Sequence, residues 1–145
     1  MVTRRSAIVA APRTEVWELV ADPYHHPRWW PRVERVEGVT SRGWTNVSVS
    51  ARGNTVRTDW AVEANLQPTE RRWAQEIEGT PFERLFKRNV VVATLEHAEG
   101  GATRVTLAYE QKPRGAARVM PFLLKRPMGK QLDEALENLT AVVAR

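Results

Sequence analysis

Two hydrophobic periods divide the chain. Residues 3–11 end in Ala7-Ile8-Val9-Ala10-Ala11 and predict a first strand. Pro12 then fits the first turn of a helix, where a missing N–H costs nothing. Val16, Leu19 and Val20 share one face of that helix at helical spacing, and Pro23 ends it. Pro27 and Pro31 leave room for only a short second helix over 24–31. From Val33 onward the period becomes two. Val47, Val49 and Ala51 alternate with Ser48 and Ser50, and Gly53-Asn54 marks a turn. Val56, Thr58, Trp60, Val62 and Ala64 then alternate with Arg57, Asp59, Ala61 and Glu63. After a break at Pro68, Trp73, Gln75 and Ile77 share one face. After Gly79-Thr80-Pro81, residues 84–97 predict a longer strand around Val90-Val91-Val92. Gly100-Gly101 reads as a hairpin turn, and Val105, Leu107 and Tyr109 share a face of the strand that follows. Past Pro113 and Gly115 the period returns to helical, with Leu132, Leu136, Leu139 and Val143 forming one apolar stripe. Pro121 and Pro127 predict that the stretch before this stripe is broken into a shorter piece.

The order is strand, two short helices, about six antiparallel strands and a long helix, which predicts an α+β fold with one sheet face covered. One helix covers only part of a strongly bent sheet. The remainder must be filled by aromatic side chains or left as a cavity. Trp29-Trp30 is the clearest pointer to that choice. Two adjacent indoles cannot both point into one core from a regular element, so one packs and the other faces a cavity, a lip or a partner.

Composition narrows the function classes. The 145 residues suit one domain spanning 1–145, long enough to bury about 68–70% of its unfolded surface without staples. Without cysteine, disulfides and thiolate metal sites are excluded. No apolar run approaches a membrane span or a signal sequence, so a cytoplasmic protein is expected. The net charge is +5, but most basic residues alternate with acids, as in Arg32-Val33-Glu34-Arg35-Val36-Glu37, and nucleic acid is not the expected partner. Residues 111–132 differ. They contain no acid, and Arg118, Lys125 and Arg126 are interleaved with Met120, Phe122, Leu123 and Leu124, a composition that suits a membrane surface.

Few side chains offer chemistry. His25, His26 and His97 read as exposed loop histidines, with no metal-binding spacing, so no metal is expected. The serines lack a nucleophile-elbow context. No Gly-rich phosphate loop is present, and no cofactor is expected. Thr58, Trp60, Trp73 and Gln75 share a predicted inner face, and Tyr109 lies in line with Val105 and Leu107. These are candidate pocket residues, with Trp29 or Trp30 at one lip and Met120, Phe122 and Met128 at the other. Arg88, with Arg57 and Asp59, would supply a charged group if it faced inward, and a slip of one residue decides that.

The element order, together with Ala11-Pro12, Val16-Trp17, Asp22-Pro23, Trp29-Trp30-Pro31 and the Leu132-Leu136-Leu139 stripe, resembles the START-like helix-grip superfamily over nearly the whole chain. Within it, the chain is similar to the polyketide cyclase/dehydrase and lipid-transport group. The resemblance implies a curved sheet of six or seven strands wrapped on the C-terminal helix, with a deep apolar pocket between them. The expected cavity, of roughly 300–1,000 Å³, touches Trp29 or Trp30 and Tyr109. The expected partner is a small hydrophobic, polyketide- or lipid-like molecule. An aromatase- or cyclase-type enzyme, a lipid or isoprenoid carrier at a membrane surface, and a protein-binding module like the chaperone regulators remain open. Fold does not choose among them.

Overall fold

The computed structural model describes residues 1–144. Strand β1 (Val2–Val9) is followed by helix α1 (Arg13–Ala21), a 3₁₀ turn (Pro23–His25) and the four-residue helix α2 (His26–Trp29). Six strands come next: β2 (Val33–Glu37), β3 (Gly43–Val49), β4 (Thr55–Leu66), β5 (Glu70–Gln75), β6 (Phe86–His97) and β7 (Thr103–Pro113). A short helix α3 (Ala116–Val119) leads into the long helix α4 (Phe122–Val143). The strands form one antiparallel sheet in the order β1-β7-β6-β5-β4-β3-β2. Five of its six pairings join neighbours in sequence, which short turns at Gly53 and Gly100-Gly101 make possible. Both Gly100 and Gly101 have positive φ, the region that glycine enters without a Cβ penalty.

The predicted stripe on α4 lies against the inner face of the sheet. Leu132, Ala135, Leu136 and Leu139 are buried there together with Val91, Val105, Leu107 and Tyr109. Helix α4 differs from expectation at its start. It begins at Phe122 and runs through Pro127. Pro127 stands just past the first turn, so it removes only one helical hydrogen bond, and the carbonyl of half-exposed Leu123 that loses it can bond water.

The outer face of the sheet is not uniformly solvated. Ala74, Val90, Val92 and Ala108 form a second buried cluster on it. Two ion pairs roof this cluster. Arg72 on β5 meets Glu110 on β7 at 2.5 Å, spanning β6 over Val90 and Val92. Arg88 on β6 meets Glu63 on β4 at 2.5 Å, spanning β5 over Ala74. The charges stay at the surface while the aliphatic stems cover the methyl groups. For that reason both faces of the Val90-Val91-Val92 run are buried.

A close approach sets the β3–β4 pairing. Gly43 faces Ala61, and a Cβ on Gly43 would collide with the carbonyl oxygen of Trp60. The absence of a side chain there lets Trp44 and Trp60 stand opposite each other on the inner face. Helix α4 closes the same face from above. Leu136→Ala is expected to cost about 2–5 kcal/mol in urea denaturation, the transfer term plus a cavity term. A loss below about 0.5 kcal/mol, the level of a surface change, would mean that α4 does not close the sheet.

Candidate functional site

The inner face divides into a filled half and an open half. In the filled half, His26 sits edge-on to Trp29 and Trp44, with ring centroids 5.5 and 5.1 Å away, and 5.7 Å from Trp73. His26 is therefore no exposed loop histidine: it is 1% exposed. Among the described residues, no group of three or more His, Cys, Asp or Glu side chains is placed to hold a metal. The 3₁₀ turn and α2 fold His26 inward, where its Nε2 lies 3.4 Å from the Val20 carbonyl oxygen. Burial lowers its pKa from 6.5 to about 4, outweighing the contact with Val20. Arg71 lies over the Trp44 ring at 5.9 Å and donates to Asn65.

The adjacent tryptophans divide as their spacing demands. Trp29 is fully buried, its indole N–H donating to the Leu19 carbonyl oxygen at 2.9 Å. Asn138 on α4 donates to the Trp29 carbonyl oxygen. Helix α2 stops there. Trp30 has extended backbone (φ −76°, ψ 128°), so its ring turns away and meets Trp73 and Tyr109 edge-on.

Beyond Trp30 the inner face opens into a cavity of about 250 Å³. It lies between β3–β6 and the start of α4. Its mouth is at Arg32 and the Ser48–Ser50 end of β3, and its deep wall carries Trp60, Gln75, Asn89 and Tyr109. The cavity is smaller than expected because the rings of Trp30, Trp60, Phe82 and Phe86 occupy part of the space. Among the described residues, the lining contains one cation, Arg32, and no acid or lysine.

The structure brings together Trp30, Thr58, Trp60, Gln75, Tyr109 and Met128 around this cavity. It does not bring the other candidates there. Trp29 and Trp73 are packed in the filled half. Met120 and Phe122 lie at the α3–α4 junction, 42% and 65% exposed, because the junction turns them outward. Arg88 points to the outer face, as do Arg57, paired with Glu37, and Asp59, which accepts from Thr45. A bulge between Phe86 and Arg88 shifts the alternation of β6 by one residue. Phe86 therefore faces the cavity, while Arg88 and Asn89, past the bulge, follow Val90 outward and Val91 inward.

The polar walls of the cavity form two small systems. On β3 and β4, Trp44 donates to Asn46 Oδ1 at 2.8 Å and Trp60 donates to Thr58 Oγ1 at 2.9 Å. Asn46 and Thr58 are cross-strand partners, so the two indole acceptors sit side by side. Deeper, Gln111 Nε2 donates to Asn89 Oδ1 at 3.0 Å, and Asn89 Nδ2 donates to Gln75 Oε1 at 2.9 Å. Tyr109 donates its hydroxyl to Gln131 on α4 at 2.7 Å. Burial pushes the Tyr109 pKa well up, so this phenol stays protonated. Asn46, Asn89 and Gln131 were not legible as site residues. On β3 the apolar set Val47 and Val49 pointed to the wrong face for Asn46, whereas Asn89 shares the period-two face of Val91, a signal the sequence did carry.

Residues 2–144 match the family described as polyketide cyclase/dehydrase and lipid transport. No curated protein matches the chain. Among solved structures, a START superfamily protein from Mycobacterium smegmatis is 12% identical, with 99% of this chain and 97% of that one covered, and a TM-score of 0.80. A protein from Thermus thermophilus is 21% identical, covering 99% and 97%, with a TM-score of 0.75. A protein from Arthrobacter aurescens is 20% identical, covering 99% and 86%, with a TM-score of 0.74. At these identities the likeness is one of fold.

Beside the cavity, His26 ties stability to pH. The unfolded chain takes up its proton near pH 6.5 and the folded chain only near pH 4. Its stability is therefore fully present above pH 6.5 and is lost as the pH falls to about 4, by roughly 3 kcal/mol. Denaturation at pH 7, 6, 5 and 4 should show a drop that is markedly shallower in His26→Gln. Parallel curves for the two proteins would mean that His26 titrates as an ordinary exposed imidazole.

Proposed function

Because this chain belongs to the polyketide cyclase/dehydrase and lipid-transport family, we propose that its cavity binds a small, largely apolar molecule and selects it by uncharged polar contacts. One observation carries this reading: an inner cavity of about 250 Å³ walled by aromatic rings and carboxamides, with no acid or lysine in its lining among the described residues. A filled interior would have supported a protein-binding module instead. The open volume suits an occupant at the small end of the range for ligand pockets.

A cyclase-type reaction needs a proton donor and acceptor matched to the working pH. The groups around this cavity favour binding over proton transfer. The Tyr109 hydroxyl is held protonated and engaged with Gln131. Arg88, the charged candidate, is committed to Glu63 on the outer face, where it holds that carboxyl below its usual range. 2-Naphthol serves as a probe. The wild-type protein is expected to bind it, read by quenching of tryptophan fluorescence or by calorimetry. Val56→Phe, which narrows the mouth, should weaken that binding at least about tenfold with the melting temperature little changed. Equal binding by both proteins would place the probe elsewhere and remove support for this cavity.

A second reading, a carrier that meets membranes, is favoured by one feature. Val119, Met120, Phe122 and Leu123 are all exposed, Val119 by 80%, and Arg118, Lys125 and Arg126 are exposed among them. Among the described residues no helix is long and apolar enough to cross a membrane, so such contact would be with the surface. Each basic group near an anionic surface adds about 1 kcal/mol, screened within about 10 Å at 0.1 M salt. On the first reading, sedimentation with phosphatidylserine vesicles at 0.15 M salt is weak. Tight, salt-sensitive binding that is lost when Arg118, Lys125 and Arg126 are changed together to glutamine would put the carrier reading first.

A further inference from the structure

Gln75 is 9% exposed, lines the cavity, and has a side-chain nitrogen with no hydrogen-bond partner. Its oxygen is already used. The run Gln111 to Asn89 to Gln75 is directional: each carboxamide donates to the next, and the unspent donor is Nε2 of Gln75. The unspent acceptor, Oε1 of Gln111, lies at the other end, on β7 and outside the cavity lining. A buried donor left unmet is costly, and native structures contain few of them. The relay also fixes the amide in place, since Asn89 holds Gln75 Oε1 while itself being held by Gln111.

We propose that Gln75 is a specificity-determining residue of the cavity and that Nε2 takes a carbonyl oxygen of the bound molecule. This rests on the ligand-binding reading above. The chemistry of the wall excludes a charged partner at that point. Among the described residues, no cation lies near Gln75 in the cavity: Arg71 is in the filled half, Arg88 faces out, and Arg32 is at the mouth. A carboxylate brought to the deep wall would be desolvated with no countercharge, whereas a neutral carbonyl gives up far less hydration. The rings of Trp30, Trp60 and Tyr109 beside it suit a flat apolar frame. The occupant is therefore an uncharged ketone or ester on an aromatic or alicyclic frame, oxygen inward.

Two probes of nearly equal shape test this: 2-acetonaphthone, which carries a ketone, and 2-isopropenylnaphthalene, in which the oxygen is replaced by a methylene. The wild-type protein should bind the ketone about tenfold more tightly, the effect of one buried hydrogen bond gained in place of an unmet donor. The carbonyl stretch of the bound ketone should shift to lower wavenumber than in hexane. Gln75→Met should bind both probes alike, with affinity for the alkene retained and the carbonyl shift lost. Gln75→Glu keeps the oxygen that accepts from Asn89, guarding against a folding defect, and should also lose the ketone preference at pH 8. If the wild-type protein binds both probes equally, or Gln75→Glu keeps the preference while folded, the role of Gln75 is overturned and the cavity reading stands. If the wild-type protein binds neither probe, both fall.

Discussion

A seven-stranded sheet curved around one 22-residue helix leaves more inner face than the helix can cover, and the rest of the structure follows from how that surplus is handled. Aliphatic side chains suffice where α4 lies against β1 and β7. Toward β3–β5 the gap widens, and the chain meets it with indole rings, the largest apolar groups it has. Indoles bring an N–H that must be satisfied when buried. Trp29 finds a backbone carbonyl, but Trp44 and Trp60, on open strand surface, need side-chain acceptors from their own strands. Asn46 and Thr58 are thus on the inner face because the tryptophans are. The polarity of the cavity wall follows in part from filling the space next to it.

The same economy governs the outer face. Small and β-branched residues on β5, β6 and β7 would leave an apolar patch on the convex side. Long arginine and glutamate side chains reach across a strand to cover it. Exposed ion pairs contribute little as charges. Here their value lies in the methylene stems, and the pairing keeps those stems laid flat over the patch. This arrangement also commits Arg88 to the surface and leaves the interior without a charged group at that position.

The elements were legible because their periods were clean. The β4 and β5 alternation placed Thr58, Trp60 and Gln75 on one face, and the α4 stripe was readable from Leu132 to Leu139. The adjacent indoles announced that one would face away from the core, although not which. Three features escaped for physical reasons. Pro127 reads as a break, yet near a helix start it costs only one bond. His26 reads as polar, yet a neutral imidazole can pack edge-on among indoles. The bulge in β6 has no sequence mark, and it turns Phe86 onto the inner face, whereas Arg88 and Asn89 keep the alternation of Val90 and Val91. The wall therefore carries a carboxamide where a slip of one residue would have put a guanidinium.

The placement of Asn89 rather than Arg88 in the wall bears on how the cavity discriminates. A guanidinium at the Asn89 position would draw anions strongly and any polar group weakly, with a contact range set by charge. A carboxamide relay acts only at hydrogen-bond distance and only along its own direction. Because the relay ends in a donor that no other protein group meets, a carbonyl oxygen at hydrogen-bond distance completes it. Selectivity then resides in one directed hydrogen bond rather than in a strong attraction. An apolar molecule of the right shape can still enter, but it does not make that bond. A site built this way tolerates variation in the frame of its ligand while reading one atom of it closely.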